Sequence, residues 1–270
     1  MLDEQLQRVV DTITKSVVPE KIFLLGAIYT QQHHETIFTE PETKPVVKRA
    51  AQYYLLLLAA AGSKVDLDEL QNIAESCCSI NATPVCIYRE TIQTFNSWLQ
   101  AGHPFACYVQ QHGRLLYDAA TTALAAPAPL VPGNTKQEFS YWNNRISEFL
   151  AGADYFRLRK EFTLGTFFLH QAAEQALTIL IKIMTGYRVV SHNLDKLFQY
   201  ARLFSTEIGL LFNRQITNEQ QLFKLLQHSY INSRYSNEYN IKESELCLLM
   251  ERVKQLHQIV QKIVAGKIAG

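Results

Sequence analysis

The chain has 270 residues, 47% hydrophobic and 19% charged, with a formal net charge of +1. That composition excludes a disordered chain, and the small net charge excludes the dense basic stripe of a dedicated DNA reader. The charge is unevenly spread. Residues 1–135 hold nine Lys and Arg against thirteen Asp and Glu, net −4, whereas residues 136–270 hold seventeen against twelve, net +5. Either two surfaces simply differ, or a mildly basic second half meets an anionic partner.

Taken in chain order, Leu6, Val9, Val10, Ile13 and Val17 recur at helical spacing and predict a first helix over 3–17. The N-terminal MLDEQLQRVV is polar and amphipathic, unlike a secretory signal. KIFLLGA (21–27) and QYYLLLLAA (52–60) are apolar runs of strand length, and the longest apolar run, 53–61, is too short to span a bilayer. Between them His33, His34 and Glu35 form a polar cluster with no spaced partner to complete a metal site. Residues 65–77 predict a helix, 83–89 a third strand, and 90–102 a helix closed by Gly102. HPFACYVQQHGRLLYDA (103–119) reads as a hairpin turning at His112-Gly113. The five cysteines are odd in number and lack any CxxC spacing, which predicts reduced thiols in a cytoplasmic protein.

Pro127, Pro129, Pro132 and Gly133 then interrupt the pattern, and a linker is expected over 120–135. After residue 136 the spacing is helical throughout. It predicts five amphipathic helices, over 139–156, 161–185, 194–204, 218–234 (capped by Thr217 or Asn218) and 243–266.

Three stretches of this second half resemble landmarks of HEPN domains. FLHQAAEQALTIL (168–180) is similar to that family's second helix, with His170, Gln171, Ala172, Ala173, Glu174, Ala176 and Leu177 matching and Thr178 in place of its lysine. SHNLDKLFQYA (191–201) resembles its next helix start, and INSRYSNEY (231–239) its Arg-Tyr signature at Arg234 and Tyr235. The physics stands beside the likeness: His170 and Glu174 are four apart and share a helix face. Some HEPN proteins are ribonucleases that use an Arg followed by a His four to six residues on. Arg252 and His257 have that spacing, but on the last helix, where the resemblance does not place the motif. The matching position is Arg234, followed after four residues by Tyr239, which cannot shuttle protons near neutrality as histidine does.

Residues 20–119 resemble the minimal nucleotidyltransferase domains that often accompany HEPN domains. KIFLLGA looks like the strand entering that family's Gly-Ser turn, and HPFACYVQQHGRLLYDA like its late hairpin. The family's chemistry needs a Gly-Ser pair and a D-x-D strand holding magnesium. Here Ala27 follows Gly26, and Gln52 and Tyr54 fill the carboxylate positions.

The expected fold is therefore an α+β nucleotidyltransferase-like domain over 1–119, a Pro-rich linker over 120–135, and an all-α, up-and-down HEPN-like bundle over 136–270. The expected function is a non-catalytic nucleotide- or RNA-binding and dimerisation module carrying a pseudo-nucleotidyltransferase. The alternative is a HEPN ribonuclease of a toxin or defence system. No catalytic residue, cofactor, metal or membrane contact is expected. A homodimer is expected through the small-residue face of Ala172, Ala173 and Ala176. The expected ligand site comprises Arg234, Tyr235, Tyr239, His170, Glu174 and His192. Its guanidinium would grip phosphate, while its rings take a base or sugar.

Overall fold

The computed structural model describes residues 4–30, 33–39, 50–60, 66–131, 133–212, 216–236 and 239–269. The chain divides into two compact units, Met1–Pro132 and Gly133–Gly270.

In the first unit α1 (Glu4–Ser16) buries Leu6, Val9, Val10 and Ile13, the stripe its sequence spacing dictates. The sheet is built around β1 (Pro19–Thr30) and β3 (Gln52–Ala59), which run antiparallel, and β4 (Val85–Thr91) joins β3 in parallel. The other edge of β1 is shared. Its residues 26–30 pair with β2 (His33–Thr36), and its residues 21–24 pair with β5 (Arg114–Asp118). Every residue of β3 is buried, as a continuous apolar run with covered faces requires. On one face Leu55 and Leu57 meet α1 and α2 (Leu67–Asn81) through Val9, Ile13, Leu70 and Ala74. On the other, aromatic rings join the sheet to α3 (Ile92–Gln100) and α4 (Pro104–His112), through Phe23 with Phe95 and Tyr88 with Phe105.

Two sequence expectations fail here. The hairpin expected over 103–119 is a helix followed by a strand. Pro104 sits at the first helical position, where its missing N–H costs nothing, and Phe105 and Val109, four apart, share the buried face. Gly113 closes that helix by donating to the Val109 carbonyl at 2.7 Å, so it serves as a helix end and not as a hairpin turn. The turn expected after Gly26 is also missing: β1 runs on to Thr30. Ala27 cannot cap a helix as serine would, and the β-branched Ile28 and Thr30 continue the pairing past a register shift. The strand β2 was not anticipated. It contains His33 and His34, whose side chains lie outside what the structure describes. Among the described residues no group of His, Cys, Asp or Glu could hold a metal ion.

Residues 120–131 form neither helix nor strand, yet they are tied down. Ala128 donates to the Leu99 carbonyl, Val131 donates to that of Gly102, and Gln110 of α4 donates to Ala125. Gly102 has φ +66°, and a Cβ there would lie 2.1 Å from the Pro129 oxygen, so only glycine permits this close crossing.

The second unit contains α5 (Thr135–Leu158), α6 (Phe162–Thr185), α7 (Leu194–Ala201), α8 (Thr206–Leu210), α9 (Thr217–Tyr235) and α10 (Glu243–Ala269). The short α8 had no counterpart among the expected helices. Thr217 opens α9 as its first helical residue; Ile216 is at the cap position, with no side-chain cap bond. The central helix is α6, which touches α5, α7, α9 and α10 and buries residues on all sides. Its left-handed terminator, Gly186 at φ +80°, donates to the Lys182 carbonyl. Ala172, Ala173 and Ala176 are wholly buried inside this bundle. They bring the helices together within one chain and cannot form the face on which a second copy was expected. Among the described residues no helix is long and apolar enough to cross a membrane.

Candidate functional site

His170 and Glu174 lie one turn apart on α6, 0% and 7% exposed. Placing two polar side chains on so apolar a helix costs stability unless each finds a partner. Glu174 finds His192, whose Nδ1 lies 3.1 Å from both carboxylate oxygens. His192 is delivered by the loop before α7, one residue ahead of Asn193, whose side chain caps that helix. The His170 Nδ1 is 3.7 Å from Glu174 and 3.5 Å from the Gln171 amide, and its Nε2 is buried without a hydrogen-bond partner. Burial drives the His170 pKa down to about 4, with only the His192 backbone opposing, so this imidazole is neutral near neutral pH. Burial likewise raises Glu174, against the pull of His192.

Tyr230 of α9 connects this cluster to the surface. Its ring stacks with His192 at 4.4 Å between centroids and 15° between planes, and with His170 at 5.2 Å and 30°. One turn further along α9, Arg234 donates from Nε to the Tyr230 carbonyl at 2.8 Å. Its guanidinium carbon lies 4.5 Å from the Tyr230 ring centre, 5.1 Å from that of Tyr235 and 5.4 Å from that of Phe167. Arg234 is exposed and has no carboxylate partner among the described residues. The group therefore presents a cation held by aromatic faces, with its outer donors directed at solvent.

Of the six residues expected to form the site, His170, Glu174 and His192 come together directly, and Arg234 joins them through Tyr230. Tyr235 borders Arg234 and is 77% exposed. Tyr239 is not brought to the group by its hydroxyl, which donates to the Leu225 carbonyl at 2.8 Å. Burial raises its pKa further above the ordinary tyrosine value. Tyr230 and Phe167 were not singled out in the sequence. The available signal was Tyr230 four residues before Arg234, the spacing of a shared helix face.

The Arg252 and His257 spacing match is accidental. Arg252 pairs with Glu219 at 2.6 Å, whereas His257 shares the Asn143 side-chain oxygen with Gln261. In the first unit, Gln52 and Tyr54, the positions at which the sequence resemblance expected carboxylates, are buried, 8% and 0% exposed.

A family model described as the HEPN domain matches residues 139–263. The second unit carries a HEPN domain. The match takes in α6, α9 and the loop before α7, which bear the cluster, and it ends inside α10. A search of curated proteins found no match to the chain.

Proposed function

We propose that the chain is a non-catalytic nucleotide- or RNA-binding module, and that it binds through the HEPN domain at Arg234. The observation that carries this reading is the arginine itself: exposed, without an acidic partner among the described residues, and laid against Tyr230 and Tyr235. A guanidinium so placed offers two-point contact to a phosphate, while an exposed tyrosine ring offers a stacking face to a base. The basic balance of residues 136–270 draws anions to the same half of the chain.

In this reading the first unit is a nucleotidyltransferase-like pseudoenzyme. Ala27, Gln52 and Tyr54 support this, since none can ligate magnesium as a carboxylate does and all three are buried in the sheet. The absence of a turn at Gly26 is a departure from the resemblance and weakens a live-enzyme reading further. The ribonuclease alternative requires a proton shuttle beside Arg234. Tyr239 has its hydroxyl committed to Leu225, and burial leaves His170 neutral with no acidic proton to give. That alternative would therefore rest on His192, which is paired with Glu174 and stacked on Tyr230 beside Arg234.

A second copy of the chain is the proposed partner. Its support is a run of half-buried rings, Phe149, Phe156, Phe167 and Phe168, that continues from Arg234 across α6 to α5. Light scattering on the full chain should give twice the chain mass; a monomer at high micromolar concentration refutes it.

The test of the binding site is calorimetry with ATP, GTP and a short single-stranded RNA on wild type and Arg234→Ala. Wild type is expected to bind at least one of them. Loss of the charged contact should weaken it about tenfold or more. Equal binding by a folded mutant, or no binding by wild type, overturns the reading.

A further inference from the structure

Behind the Glu174–His192 pair lies a pocket of about 350 Å³, enclosed by α5, α6 and the loop that follows Gly186. That volume falls in the range of small-molecule sites. We infer that it is a second binding site, for a small planar anion: an aromatic body bearing one carboxylate or phosphate group.

The lining has two halves. Trp142, Ile179 and Val189 give it an apolar side, and the Trp142 indole is the large flat surface among them. Lys182, Arg188, Glu138 and Glu174 give it a charged side. Three of those four charges are already engaged. Lys182 is paired with Glu138, and Glu174 is turned to His192. Arg188 is exposed at the pocket and enters no ion pair among the described residues. One uncompensated guanidinium beside one indole selects a ligand with a single negative group and a flat apolar body. A strongly charged ligand has no second free cation to meet, and a neutral one leaves Arg188 unsatisfied.

The site is distinct from the Arg234 platform, although Glu174 and His192 border both. It does not rest on the RNA-binding reading, and different residues test the two. Tyr187 and Val189 are buried, while Arg188 and Val190 alternate outward at the rim.

The chain has only two tryptophans, Trp98 and Trp142. Trp98→Phe, which keeps a ring against His103 and Phe105, leaves Trp142 as the sole reporter in the pocket. The probes are phenylacetate, phenyl phosphate, the neutral phenylacetamide, and acetate, each titrated against the full chain while emission is followed. A saturable change with phenylacetate, phenyl phosphate or both is expected, and which of them binds more tightly distinguishes a carboxylate from a phosphate ligand. Phenylacetamide should bind about tenfold more weakly and acetate should leave the emission unchanged. Arg188→Ala, at an exposed position that should not disturb folding, should abolish the difference between acid and amide. Arg234→Ala should leave phenylacetate binding unchanged. The inference is overturned if neither aromatic anion gives saturation, if acid and amide bind alike, or if Arg188→Ala binds as wild type does.

Discussion

The sheet of the first unit and the bundle of the second treat their buried motif positions in opposite ways. In β3, positions 52 and 54 are held by Gln52 and by a tyrosine wholly inside the fold, and the strand is an uninterrupted packing element. In α6, His170 and Glu174 remain polar although the helix buries them just as deeply. Burying a polar group is costly, and the Nε2 of His170 is left without a hydrogen bond. An apolar residue at either position of α6 would pack with less cost. The sheet has thus been settled in favour of stability, and the bundle has not. Polar groups kept against a stability gradient are candidates for recognition, which the presence of a fold alone does not fix.

The strongest way to break this contrast is to place carboxylates at these two sheet positions. Gln52→Asp with Tyr54→Asp inserts two charges into a closed sheet and removes a large buried ring. The first unit should lose at least about 5 kcal/mol and unfold in a thermal or denaturant melt. Tolerance of the double change, followed by nucleotide transfer with magnesium and labelled ATP, would show that the sheet is not sealed.

The next effect is a pH dependence located in the bundle. His170 has its pKa depressed by burial from 6.5 to about 4, so the folded state binds fewer protons than the unfolded one between those values. Stability from this group is full above pH 6.5 and is lost as pH falls toward 4, a loss of about 3 kcal/mol at the acid end. Glu174, raised by burial, acts in the opposite sense and offsets part of the loss as pH falls from its raised value toward 4.5. His170→Leu should flatten the acid limb of the stability curve in urea melts run across this window. An unchanged acid limb would assign the loss to other groups.

The smallest effect returns to the sheet. Lys21, 3% exposed, is paired with Asp118 and pins β5 to β1. Lys21→Met with Asp118→Asn replaces the pair without orphaning either partner and should stay within about 1 kcal/mol of wild type. Arg234→Ala is its counterpart in the bundle: equally small in stability, within about 0.5 kcal/mol for an exposed side chain, but large in ligand affinity. A melt that showed the reverse ranking would undo the comparison.

The sequence made the periodic parts of this molecule legible. The helix stripes of α1, α6 and α10 and the apolar run of β3 carry their own pattern. The hairpin misreading at 103–119 arose because Phe105, Ala106, Cys107, Tyr108 and Val109 are too short a run to show a period, and His112-Gly113 has turn chemistry. Only Pro104, as a helix opener, spoke against it. For the site, the His170–Glu174 spacing was readable because both residues sit on one helix. Tyr230 offered only its four-residue spacing from Arg234; its stacking partners arrive from α6 and from the loop before α7, and ring stacking between elements leaves no trace in spacing. Tyr239 was misplaced because its hydroxyl turns inward to a backbone carbonyl that no sequence pattern announces.

Because one phenol ring supports His170, His192 and Arg234 together, the effect of a change at any of them should depend on the residue at 230. With Tyr230 replaced by alanine, a further change at His192 should add little to a change at Arg234. With the ring present, each should carry its own effect. Phenylalanine at 230 would preserve the stacking and with it the separate effects of the two neighbours. Among descendants of this sequence, position 230 would thus decide which substitutions at 170, 192 and 234 are selectively visible: drift is constrained at all three while an aromatic residue stands there, and released at all three once it is gone.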